Sequence, residues 1–124
     1  MRTITDHVVE GDAAPQLTVT ALDEPGPGGA CHEYLIAAPN DPQGLESGCA
    51  IHFQNGPIKE VGMNGIQSVA LLAVIIDQLR AWQAGPFKCH ENAMALVAGE
   101  EMLGWLQIRT ANRIARGVEG KLLA

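Results

Sequence analysis

Residues 66–87 read IQSVALLAVIIDQLRAWQAGPF. Val69, Leu71, Leu72, Val74, Ile75, Ile76, Leu79 and Trp82 place apolar side chains nearly all round one helix, and such helices are buried. Asn64 precedes the run with Gln67 three residues on, a spacing that resembles a capping box. Gly85-Pro86 interrupts it, and Pro86 suits the first turn of a second helix. That helix runs to about Arg116, where Gly117 stops it. Some thirty residues at 1.5 Å each make a rod of roughly 45 Å, too long for so small a chain to cover alone. The pair therefore reads as a long two-helix hairpin over residues 63–124 that packs against copies of itself, a homo-oligomer.

Upstream, over residues 1–62, the pattern changes. Residues 1–14 are polar with little pattern. Gln16 to Leu22 alternates Leu17, Val19 and Ala21 against Gln16, Thr18 and Thr20, as a half-buried strand does. Breaker-rich residues 23–30 follow, then a strand from His32 to Ala37 and a turn cluster over 39–44. Cys49 to Gln54 reads as a third strand, Asn55-Gly56 as a hairpin turn and Ile58 to Val61 as a fourth strand. The expected fold class is α+β: a small N-terminal antiparallel sheet, then the oligomerising hairpin, together one compact unit.

Hydrophobic residues make up 47% of the 124, enough for a core, and only 4% are aromatic, so that core is aliphatic. The formal charge of −6 is unevenly spread. Residues 1–60 carry nine acids and two bases, net −7; residues 61–124 carry five acids and six bases, net +1. The negative half repels a duplex, so DNA is not an expected partner. No run of 18 apolar residues occurs, so no membrane span is expected. The first residues lack the apolar core of a signal peptide. Three cysteines make no disulfide framework, and Cys31, Cys49 and Cys89 read as reduced thiols of a cytosolic protein.

Chemistry has few candidates. Cys31, His32, Cys49 and His52 are zinc-type ligands, but the first two are neighbours and point to opposite faces of a strand. A buried thiol and a solvated histidine are expected instead, with no metal. Cys89-His90-Glu91 lie about 100° apart round a helix and cannot relay a proton, so Cys89 reads as a packed thiol. Neither a G-x-S-x-G, an H-E-x-x-H nor a P-loop occurs. No catalytic residue, enzymatic activity or cofactor is expected.

Binding is the better-supported class. Arg109, Arg113 and Arg116 fall at i, i+4 and i+7, one stripe of a helix. On an acidic chain such a stripe is either a local anion site or a complement to the helix dipole. Trp82 and Phe87 flank the Gly85-Pro86 break, as a stacking platform or as ordinary packing. Asn92 is a polar reader or a solvated capping group; Trp105 is assigned to the core. From Asn92 to Arg109 is 17 residues, roughly 25 Å along a helix, so one hairpin cannot close both clusters on one small ligand. Antiparallel packing of two copies would bring them together at the interface.

Several ordered motifs carry a resemblance. They are GPIKEVGMNGI over 56–66, QAGPF over 83–87, ENA over 91–93, WLQIRT over 105–110 and NRIARGVEG over 112–120. The chain resembles the phage Thoeris anti-defence proteins, whose helical hairpin is shared with the phage anti-CBASS proteins. The match spans roughly residues 32–120. The resemblance implies a sponge that holds cyclic ADP-ribose isomers (glycocyclic ADP-ribose) without cleaving them, in the cytoplasm of the infected bacterium. It implies dimers that join into larger rings, commonly hexamers. Trp82 would stack on adenine, where relatives often have Phe, beside Phe87; Asn92 would hydrogen-bond the ligand; Arg109 and Arg113, with Arg116 beyond them, would meet the diphosphate. Some members also hold cyclic di- or trinucleotides through a basic residue near the sheet. Pro57 and Ala84 cannot supply that residue, and Lys59 and Lys88 are the substitutes available. A signal-degrading phage enzyme and a non-binding assembly or adaptor protein are the rival functions.

Overall fold

The computed structural model describes residues 1–12 and 16–124. Its contacts divide the chain into two units, Met1–Gly65 and Ile66–Ala124. The first holds four antiparallel strands in the order β1-β2-β3-β4: β1 Arg2–Ile4, β2 Thr18–Ala21, β3 Glu33–Ala37 and β4 Cys49–His52. The second holds α2 Ser68–Ala84 and α3 His90–Ala115. The α+β class, with the sheet first and the hairpin after it, is as expected.

The alternation over 16–22 sets the register of the sheet. Val19 pairs with Ile36 and Ala21 with Tyr34; β3 continues with Tyr34 opposite Ile51. Ala21 and Ala37 are buried, and Tyr34 meets Phe53 edge-on with ring centroids 5.7 Å apart. Two aspartates organise the connections. Asp23 accepts from the backbone N–H groups of His32 and Glu33. Asp41 accepts from the N–H groups of Leu45, Glu46 and Ser47 and from the Ser47 hydroxyl. The turn that Asp41 closes ends at Gly48, where an added Cβ would stand 2.1 Å from the Ile36 carbonyl oxygen. Burial, the largest single influence on Asp23, pushes its carboxyl up, yet the N–H donors of Glu33 and His32 together bring it below the ordinary value. For Asp41 the Ser47 and Glu46 amides lower it outright.

Four local expectations are corrected. The polar N-terminus forms β1, whose Ile4 pairs with Val19; three residues are too few for a period to show. Residues 13 and 14 of the polar stretch lie outside the described residues. Ile58–Val61 is not a fourth strand but a helical turn, α1. Pro57, with φ fixed at −65°, starts it, and Gly62 at φ 78° ends it. Side-chain amides replace the missing ladder: Gln54 donates to the Gly56 and Gly62 carbonyls, and Asn55 and Asn64 exchange two hydrogen bonds. Asn64 is thereby engaged elsewhere and does not cap α2, whose N-cap is Gln67 without a side-chain bond. His32, expected in solvent, is only 7% exposed, and Cys31 beside it donates its S–H to the Asp23 carbonyl.

The hairpin is built as a pair of unequal length. α3 starts at His90, not Pro86, because the connection closes on side chains: Cys89 N–H donates to Gln83, and Asn92 donates to the Phe87 carbonyl. Leu72 and Ile76 are the buried residues of α2, and Gly99 lets α3 approach Ile76. α3 has no buried residue. At 17 and 26 residues the helices run about 25 and 39 Å, so the last two turns or so of α3 overhang α2. Val74, Ile75, Trp82, Met94, Val97, Met102, Trp105, Ile108 and Ile114 are left exposed. Among the described residues no helix is long and apolar enough to cross a membrane.

Candidate functional site

The overhang of α3 carries the basic stripe. Arg109, Arg113 and Arg116 line one groove of about 480 Å³ together with Trp105, Ile108, Asn112 and Ala124. Helical spacing explains the set: Trp105, Arg109, Asn112 and Arg116 fall at 0, 4, 7 and 11, one continuous face. Trp105 is therefore corrected from core to groove wall, with 64% of its surface exposed. Its indole lies on the α3 face shared with Arg109 and Asn112, along the groove.

The three guanidiniums are in different states. Arg113 is 12% exposed at its side chain and is held by Glu119 at 3.0 Å and by the carbonyls of Val118, Lys121 and Leu123 at 2.9, 3.0 and 2.7 Å. Arg116 donates to the Ala124 carbonyl at 2.7 Å. Arg109 makes no side-chain hydrogen bond or ion pair among the described residues and is exposed. Gly117, at φ 71°, turns the chain back, with Val118 N–H bonding the Arg113 carbonyl, and so delivers the following segment onto Arg113. Arg113 and Arg116 satisfy carbonyls of the segment beyond the helix end, and among the described residues Arg109 keeps its donors open.

The other candidates sit at the opposite end of α3. Phe87 is 77% exposed, and Trp82 and Lys88 are exposed as well. Asn92 fastens the connection through Phe87, and its backbone N–H bonds the Cys89 sulfur at 3.4 Å. Cys89 is thus an exposed N-cap and not the packed thiol expected. One hairpin brings together Arg109, Arg113 and Arg116. It does not bring Trp82, Phe87, Lys88 and Asn92 to them, because about 25 Å of continuous helix separates Asn92 from Arg109. Among the described residues no group of three His, Cys, Asp or Glu side chains is placed to hold a metal. Glu33 and His52, opposite one another on β3 and β4, instead pair directly.

Sequence reasoning missed Trp105, Asn112 and Glu119. The first two were available from the i, i+4, i+7 spacing around Arg109. Glu119 lies past the Gly117 reversal, where no helical period reaches.

Residues 46–111, over half of the chain, match the Acb2/Tad1 hairpin domain. The chain belongs to this family. The matched segment contains α2 and α3 as far as Thr110 and Ala111, and so includes Trp82, Phe87, Lys88, Asn92 and Arg109; Arg113 and Arg116 follow it. The chain is also 49% identical over 70 residues to Thoeris anti-defense 1 of Bacillus phage SBSphiJ7. That alignment covers 56% of this chain and 49% of the relative, so the chain spans about half the length of the curated relative it matches.

Proposed function

We propose that this protein counters Thoeris defence by sequestering a cyclic ADP-ribose-type signal, glycocyclic ADP-ribose, without cleaving it. The observation that carries the reading is the exposed, unengaged Arg109 guanidinium in a groove bordered by an indole and an amide, within a family whose phage relative is named for Thoeris anti-defence. A planar fork of donors suits a diphosphate, and an aromatic face suits a base. Titration needs no chemistry. At a nanomolar Kd, about −12 kcal/mol, protein in excess of the signal keeps the free signal below the effector's threshold.

The site is completed by a second copy. Arg109 and Arg113, with Arg116, contact the diphosphate from one hairpin; Trp82, Phe87 and Asn92 of the partner copy supply the base platform and its polar contact. The exposed apolar residues of α2 and α3 support such packing, since contiguous apolar helix surface marks an interaction face. Dimers then associate further, as a hexamer, in the host cytoplasm. Lys88 and Lys59 are the cations available for cyclic di- or trinucleotides.

Calorimetry with glycocyclic ADP-ribose tests the reading, followed by heating the loaded protein and identifying what is released. Tight stoichiometric binding with intact ligand recovered is the expected result. A cleaved product would assign the protein to the signal-degrading enzymes, and no binding would leave only an assembly role.

A further inference from the structure

We propose that Glu119 is a positioning residue for the anion site: it fixes the Arg113 guanidinium so that one N–H is left for a ligand's diphosphate while Arg109 supplies the open fork. This rests on the groove being the diphosphate site.

A guanidinium has five N–H donors. On Arg113, Nε–H goes to Glu119 Oε2, both Nη2 hydrogens go to the Val118 and Lys121 carbonyls, and one Nη1 hydrogen goes to the Leu123 carbonyl. Four donors are engaged, and the fifth, on Nη1, is spare. The side chain still borders the groove. Glu119 is the one charged partner in the set, and it meets Nε, the atom nearest the helix stem. It therefore fixes the plane of the guanidinium as well as its position.

The consequence is a division of labour between two arginines one helical turn apart. Arg109 can rotate to meet a phosphate but must be ordered on binding. Arg113 is ordered beforehand, so a contact through its spare N–H adds no rotamer cost. Glu119 itself is directed to Nε and does not touch the ligand. It also lowers the net charge at Arg113, which leaves Arg109 as the stronger attractor of a polyanion.

The test measures glycocyclic ADP-ribose affinity by calorimetry for the unaltered protein and for Glu119→Ala, Glu119→Asp and Glu119→Gln. Exchange of the Arg113 Nε–H is followed alongside by NMR. Glu119→Ala is expected to weaken binding about tenfold, the scale of ordering one long side chain, and to make the Nε–H exchange fast. Glu119→Gln keeps an oxygen acceptor at the same reach and restores most of both. Unchanged or tighter binding by a folded Glu119→Ala overturns the proposal, as does weakened binding with the Nε–H still protected. If Glu119→Ala does not fold, Glu119→Asp decides. Its shorter carboxylate draws the guanidinium out of place, so weaker binding supports the role and unaltered affinity overturns it. An unaltered protein that binds no glycocyclic ADP-ribose refutes the function and this role together. Binding that is insensitive to all three variants refutes the role alone.

Discussion

The sheet unit and the hairpin unit settle their surfaces in opposite ways. In the sheet unit, side chains close the loops: Asp23, Asp41, Gln54 and Asn64 each take up backbone groups that the four short strands leave unpaired. In the hairpin, side chains again close the connection and the segment after α3, but most backbone bonding is internal to the helices and much apolar area is left over, with two buried residues in α2 and none in α3. A polar shortfall can be met inside one chain by a single well-placed carboxylate. An apolar shortfall needs another surface. The hairpin is therefore the half in which the proposed recognition would lie.

The largest expected effect on stability is at Ile76, the most deeply buried residue of the hairpin. Ile76→Ala should lose about 2–5 kcal/mol in urea unfolding followed by helical circular dichroism. A loss under 1 kcal/mol would mean that the α2–α3 contact contributes little and that association alone orders the hairpin. Next comes Arg113. Arg113→Ala removes four hydrogen bonds and leaves Glu119 without its cation, so it should cost about 3 kcal/mol and abolish ligand binding. Arg109→Ala should also abolish binding but leave stability within about 0.5 kcal/mol, since its side chain is exposed and makes no hydrogen bond or ion pair among the described residues. If both variants were equally stable, the distinction between a held and an open arginine would be wrong.

The sheet unit is broken by acid. Asp23 and Asp41 both have carboxyls lowered in the folded state, so above the unfolded value, about 3.9, they contribute stability. That contribution is lost as pH falls through their lower folded values, because the unfolded chain then takes up protons more readily. Stability should therefore decline below about pH 4, and Asp41→Asn should flatten the decline, as read from unfolding midpoints at stepped pH. The smallest effect belongs to Arg80 and Glu100, an exposed pair at 3.3 Å linking α2 to α3. Arg80→Ala should change the unfolding free energy by no more than about 0.5 kcal/mol.

Much of this was legible in the residues. The alternation around Val19 and the apolar run from Val69 to Trp82 assigned sheet and helix, because each spans enough residues for its period to show. Arg2–Ile4 has no such length and becomes a strand only by pairing with β2. Asn55-Gly56 carries a hairpin signal, but Pro57 removes the donor a returning strand needs, and two amide side chains stabilise a helical turn instead. Trp105 was misplaced for a related reason. A large aromatic on an apolar-patterned helix reads as core, but the spacing from Arg109 and Asn112 puts Trp105 on the groove face of α3. The arginine stripe itself follows from spacing alone. That Arg113 is held and Arg109 is open depends on the chain reversal at Gly117, and no period in the sequence reports it.

The most direct test of the account is a calorimetric titration of glycocyclic ADP-ribose into the unaltered protein and into Arg109→Ala, with helicity and subunit number checked on both. The account predicts tight stoichiometric binding by the first and none by the second, with fold and assembly the same. Equal affinity in the two proteins would contradict it.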